Sequence, residues 1–177
     1  MTISNTTDTG LLRNFRILEV GPRLASAVTG RMFAELGAEV IKVEPAGGDP
    51  ARRRGPFSHD RSNEGGGLFV SQNVGKRIVE LDLGDGESFE SFKNLAREAD
   101  LIVSSWHPTD SRNYSLDPAS LQELNPSAVI VYITPFGLFG PSSEYTGSDL
   151  VVFHSSGLAK SLISPVDAPE TPPPVRA

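Results

Sequence analysis

The chain has 177 residues, enough for one domain with a proper core, and its 38% apolar and 21% charged content is that of a globular protein. It contains no cysteine, which excludes disulfides, thiolate metal sites and cysteine nucleophiles and fits a reducing, cytoplasmic setting. A net charge of −6 argues against nucleic-acid binding, and no apolar run approaches the roughly 20 residues of a membrane span.

Residues 1–11 are polar and read as a tail. Arg16 to Val20 is a short β-type run. From Ser26 to Leu36 the apolar residues Val28, Met32, Phe33 and Leu36 recur at helical spacing and mark the side expected to face the core, and Gly37 ends that helix. Glu39 to Val43 is a second strand, which completes a unit of the βαβ type. Pro45 to Gly67, rich in Gly, Pro and Arg, reads as loop, followed by a helical turn at Leu68 to Gln72. Ile78 to Leu81 is a third strand, and Glu87 to Ala99 an amphipathic helix with Phe89, Phe92, Leu95 and Ala96 on one side. Leu101 to Val103 is a fourth strand. Asp117 followed by Pro118 predicts an N-cap and a first helical residue, opening a helix to Leu124. Ala128 to Ile133 is a fifth strand, apolar throughout, as expected of a strand buried on both faces.

Pro135 to Gly147 is rich in turn residues, and Asp149 to Ser161 reads as helix, weakened at Gly157. Five prolines in residues 165–177 exclude a regular helix or a central strand there. The fold class predicted is α/β: a Rossmann-like, mostly parallel sheet with helices on both faces over residues 12–164, then a proline-rich segment.

In such a sheet, ligands bind beyond the carboxyl ends of the strands. The turn after the first strand, Val20-Gly-Pro-Arg-Leu-Ala-Ser26, lacks the G-x-G-x-x-G fingerprint, although a helix N-terminus behind it offers free N–H groups. Glu44 ends the second strand, where dinucleotide enzymes place a ribose-binding acid. Residues 51–77 carry a local charge of +4, from Arg52, Arg53, Arg54, Arg61, Lys76 and Arg77 against Asp60 and Glu64. That island is either a dock for a small polyanion or a solvated loop paired with nearby acids. The single tryptophan, Trp106, follows a strand and either stacks on an adenine or packs at the domain edge. His59, His107 and His154 have no metal-ligand spacing, and Ser155 and Ser156 beside His154 do not make a triad.

Taken in order, several motifs resemble the class III CoA-transferases, a family that includes formyl-CoA and carnitine-CoA transferases and acyl-CoA racemases. They are Leu36-Gly-Ala-Glu-Val-Ile-Lys-Val-Glu44, Gly48-Asp49 with Arg52, and Asn73-Val-Gly-Lys-Arg-Ile-Val-Glu-Leu-Asp-Leu83. Ala99-Asp-Leu-Ile-Val103, Leu121-Gln-Glu-Leu-Asn-Pro126, Phe136-Gly137 and Gly140-Pro141 continue the series. The resemblance implies a coenzyme A substrate, with no prosthetic group, laid along the strand ends. Lys76 would meet a CoA phosphate, and Arg52 matches the arginine of a G-D-x-x-R motif. Trp106 falls beside the adenine, and Ser105 where the family often has asparagine. Arg112 is near the position of a family arginine, with Asn113 at the aligned place. Acyl-CoA and carboxylate substrates and an interlocked homodimer are implied as partners. The first turn departs from the family: Pro22 takes the position of a glutamine, and Ala25-Ser26-Ala27 that of Ala-Gly-Pro.

The resemblance implies catalysis by an aspartate that attacks the thioester and carries the CoA. That aspartate follows a Pro-Pro pair, here within Pro172-Pro173-Pro174, so it is expected beyond Ala177 and these residues alone are expected to be inactive. Asp167 precedes the prolines and substitutes poorly. Racemases of the family carry Gly-His-Asp where this chain has Gly147-Ser148-Asp149, which disfavours that branch. A non-catalytic CoA- or nucleotide-binding module is the remaining alternative.

Overall fold

The computed structural model describes residues 10–57 and 65–159. Arg61 of the basic island and the proline-rich segment 165–177 lie outside the described residues. The chain divides into two compact units, one ending at Ile133 and one beginning at Thr134.

The first unit is a parallel sheet of β1 (Arg16–Val20), β2 (Glu39–Glu44), β3 (Arg77–Glu80), β4 (Leu101–Ser104) and β5 (Val129–Tyr132). The strand order is β3-β2-β1-β4-β5, and every pairing is parallel. The chain therefore runs outward from β1 to β3, then crosses back to place β4 on the other side of β1. The connecting helices are α1 (Leu24–Glu35), α2 (Gly67–Gln72), α3 (Gly86–Arg97), α4 (Pro108–Asn113) and α5 (Pro118–Leu124). In the second unit, α6 spans Asp149–Ser155. No helix among the described residues is long and apolar enough to cross a membrane.

The local signals explain the boundaries. At the end of α1, Gly37 has φ +93°, and the N–H groups of Gly37 and Ala38 donate to the carbonyls of Ala34 and Phe33, a left-handed glycine cap. Asp85 caps α3 by accepting the Ser88 N–H. Asp117 caps α5 by accepting the N–H groups of Ala119 and Ser120, with Pro118 in the first turn, as the sequence predicts.

One face of the sheet is apolar along its length. Leu18, Val20, Ile41, Val43 and Ile102 pack there with Phe92 and Ala96 of α3, Leu121 of α5 and Leu116. Each large side chain buried there stabilises the fold by about 1.5–3 kcal/mol. The face under α1 begins apolar, with Ile17, Val40, Leu101 and Val103. It turns charged toward the carboxyl ends, where Glu19, Lys42 and Glu44 are buried.

Three expectations are corrected. The predicted stripe of α1 mostly faces outward: Val28, Met32 and Leu36 are exposed, Phe33 alone of the four packs on the sheet, and the helix buries Ser26, Ala27 and Gly30. The charged lower half of that sheet face accepts small residues and excludes large apolar ones. Strand β5 is not buried on both faces, because it is an edge strand and Val129 and Val131 are exposed. The 45–67 loop contains a 3-10 turn, Pro50–Arg53, capped by Asp49. The short helix α4 has no predicted counterpart, since Pro-Thr-Asp-Ser-Arg-Asn has no apolar period to signal it.

Candidate functional site

At the carboxyl end of the sheet lies a narrow cleft. Its lining is Val20 and Val43 from the ends of β1 and β2, Pro45 and Ala46 after β2, Leu81, Asp82 and Leu83 after β3, and Trp106 and Tyr114. The Trp106 and Tyr114 rings are tilted by 47° with centroids 5.5 Å apart. The Trp106 indole Nε1 is buried and has no hydrogen-bond partner among the described residues. A mostly apolar slot bordered by an indole suits a flat heteroaromatic ring.

Sheets of this topology usually bind ligands where the chain reverses, between β1 and β4. Here that crevice is filled by the protein. The Ser26 hydroxyl donates to the Arg23 carbonyl at 2.9 Å, and the Ser105 hydroxyl accepts the Arg23 N–H at 3.2 Å. The 2.8 Å bond between the two hydroxyls therefore runs from Ser105 to Ser26. Gly21 has φ +109°, and a Cβ on it would lie 2.8 Å from Ser105 Oγ and 2.9 Å from Trp106 N. Glycine is required there. The first turn is thus bonded to the end of β4, and the open space lies on the β1–β3 side.

The other face of the sheet holds a buried ionic network. Lys42 Nζ lies 2.8 Å from Glu19 Oε1 and 2.9 Å from Asp49 Oδ2. Lys76 Nζ lies 2.6 Å from Glu19 Oε2, 2.7 Å from the Ala27 carbonyl and 3.0 Å from Asn73 Oδ1. Two cations meet two anions, each side chain at most 5% exposed. Burial pulls the Lys42 pKa down, but Glu19 and Asp49 outweigh it and the net shift is upward. Burial wins at Lys76, whose pKa is lowered; it shares Glu19 with Lys42 and its other bonded acceptors are neutral.

Beside this network Arg52 forms a two-pronged pair with Glu44, Nε to Oε2 at 2.7 Å and Nη2 to Oε1 at 2.9 Å. The guanidinium stacks 3.9 Å from the Phe69 ring centroid. Glu44 also accepts the Asp49 N–H at 3.0 Å.

The six residues singled out from the sequence therefore separate. Trp106 lines the cleft. Ser105 stands behind it, bonded to the first turn. Glu44 and Arg52, expected separately as ligand contacts, bind each other, and Lys76 is enclosed beneath α1. Arg112 is exposed in the last turn of α4. In the second unit His154 is exposed and its ring meets Phe153. Sequence reasoning missed Glu19, Lys42 and Tyr114. For Glu19 and Lys42 the available signal was a charge at the fourth place of each strand, flanked on both sides by apolar residues, which the register sets side by side on one face. Among the described residues no group of three or more His, Cys, Asp or Glu is placed to hold a metal.

The topology defines a doubly wound α/β protein with a cleft at the carboxyl ends of its strands. More narrowly, the chain belongs to CoA-transferase family III, whose family model matches residues 12–176. It is 37% identical over 150 residues to the succinate–glutarate CoA-transferase of Agrobacterium fabrum, covering 82% of this chain and 38% of that protein. It is 38% identical over 144 residues to the BbsE subunit of the succinyl-CoA:(R)-benzylsuccinate CoA-transferase of Thauera aromatica, covering 81% and 35%. A CAIB/BAIF family protein from Brucella suis superposes with a TM-score of 0.80 at 30% identity, over 92% of this chain and 43% of that one. The chain thus spans well under half the length of these relatives.

Proposed function

We propose that the chain supplies the coenzyme A-binding part of an enzyme that moves CoA between an acyl-CoA and a carboxylic acid. The observation that carries this reading is the cleft at the strand ends, walled by Trp106 and Tyr114 and lined by apolar side chains. The adenine of CoA lies in that slot against the indole. The names of the Agrobacterium and Thauera relatives support the class of reaction, since both name a CoA-transferase and carboxylates of succinate type. Coenzyme A is then a substrate, the homodimer is the assembly, and the cytoplasm is the compartment.

The chemistry in this reading is acyl transfer through an aspartate. Its carboxylate attacks the thioester carbonyl and expels the CoA thiolate, leaving a mixed anhydride. The thiolate returns to the aspartyl carbon and releases the first acid, so the enzyme holds the CoA as a thioester. An acceptor carboxylate repeats the exchange in reverse order and leaves as the new acyl-CoA. In this reading the described residues supply binding, and the aspartate lies outside them.

Trp106 is the only tryptophan, so its emission reports on the cleft alone. Titration with CoA is expected to give a saturable change in emission and matching heat in calorimetry. By calorimetry, Trp106→Ala is expected to weaken binding on the order of 5- to 150-fold, the worth of one stacked base. A wild-type chain that shows neither heat nor an emission change at millimolar CoA would end the proposal.

A further inference from the structure

We infer that the buried Lys42–Asp49 ion pair is a positioning device for the cleft, setting the loop that forms one of its walls. The inference rests on reading the cleft as the CoA site. After β2 the chain passes through Pro45, Ala46, Gly47 and Gly48 before Asp49. Pro45 and Ala46 line the cleft together with Trp106. Gly47 and Gly48 have φ +82° and +80°, a conformation that glycine adopts without strain and leaves as readily. The Gly48 N–H closes the turn onto the Pro45 carbonyl at 2.9 Å and the Gly47 N–H donates to Glu80 at 2.9 Å, so what remains to be set is where the far end of the turn attaches.

Asp49 is that fixed point. One carboxylate oxygen lies 2.9 Å from Lys42 Nζ, the other accepts the Ala51 N–H at 2.7 Å, and the Asp49 N–H donates to Glu44 at 3.0 Å. Lys42 belongs to β2 itself, so the pair closes the loop onto the strand from which it departs. Glu19 on β1 holds the same ammonium from the other side.

Stability alone does not explain this arrangement. A buried ion pair contributes no more to stability than an apolar pair of the same volume, and often less. The sheet has apolar residues at neighbouring positions, Val40 and Ile41. What an apolar pair lacks is direction: a carboxylate held by one ammonium and one N–H group, on a residue whose own N–H is bonded to Glu44, has one place to be. Lys42 thus acts through Asp49 and the loop, without touching ligand.

The test replaces both charges, Lys42→Met with Asp49→Asn, which leaves Glu19 and Lys76 balanced. Asparagine still accepts the Ala51 N–H and still caps the turn. The expected result is a folded chain whose CoA affinity falls by about tenfold or more, as a wall out of place costs orientation. Trp106 emission is expected to shift in the absence of CoA as well. The comparison is Asn125→Ala, at the opposite end of the strands. It removes bonds from the Asn125 side-chain amide to the carbonyls of Ala96, Arg97 and Ala99. That variant is expected to lose stability while its folded fraction binds CoA as the wild type does.

If the double variant does not fold, Asp49→Asn alone carries the test, since Glu19 still pairs with Lys42 while sharing its carboxylate with Lys76. A folded variant that binds CoA with wild-type affinity, or a loss no greater than in Asn125→Ala, overturns the inference and leaves the CoA reading standing. A wild-type chain that binds no CoA overturns the CoA reading first, and this inference with it.

Discussion

Gly30 shows how a single residue answers to a contact far away in the chain. It lies inside α1, where replacing glycine by alanine ordinarily gains about 1 kcal/mol. Here a Cβ would lie 2.3 Å from Glu19 Oε2 and 3.1 Å from Lys76 Nζ. The space it would fill is occupied by the ion pair, so Gly30→Ala is expected to destabilise the chain by roughly 2–4 kcal/mol, the scale of disturbing a buried pair. Urea denaturation of the two proteins measures this, and a stabilised variant would show that the network yields at no cost. Lys76 teaches the same lesson from the other side. After Asn-Val-Gly it reads as an available cation, and only the approach of Glu19, 57 residues away, encloses it.

Among the elements, α5 is set by its own sequence. Asp117 accepts from the Ser120 hydroxyl and from two N–H groups of the first turn. These bonds, the Ser120 hydroxyl first, hold the Asp117 carboxyl below its ordinary value of 3.8. A lowered carboxylate stabilises the fold above its ordinary pKa, and that contribution is lost as pH falls through the lowered value. Asp117→Ala is expected to cost about 1 kcal/mol at neutral pH, and the difference from wild type should vanish in strong acid. Denaturant titrations at pH 7 and pH 2 check both halves. Helix α1 behaves otherwise. Its large apolar residues announce a buried side, yet the sheet beneath it is charged at its carboxyl end and takes Ser26, Ala27 and Gly30 instead.

For the whole molecule the consequence is an outward stripe along α1. Leu24, Val28, Met32 and Leu36 are 48%, 38%, 62% and 46% exposed, one turn apart on one side of the helix. A continuous apolar surface of this kind favours contact with another surface over water. Sedimentation of the purified chain is expected to show concentration-dependent association, weakened by Met32→Lys in the middle of the stripe. A monomer at all concentrations for both proteins would rule out the stripe as the cause. The chain spans well under half of its relatives' length, so the stripe and the edge strand β5 are the surfaces to compare with a full-length relative.

By itself the sequence determined the five strands, the α/β class, the caps at Gly37 and Asp117, and the family, because these depend on local periodicity, local hydrogen bonds and motif order. It also marked Trp106 as a residue just past a strand, and the structure sets it after β4 in the lining of the cleft. Only the tertiary structure decided where the charges go. Glu44 and Arg52 are drawn to each other, Lys76 to Glu19, and Ser105 to the first turn. The reason is physical: a charge on a strand looks the same in sequence whether it faces ligand or a partner, and burial compels it to find a partner across the fold.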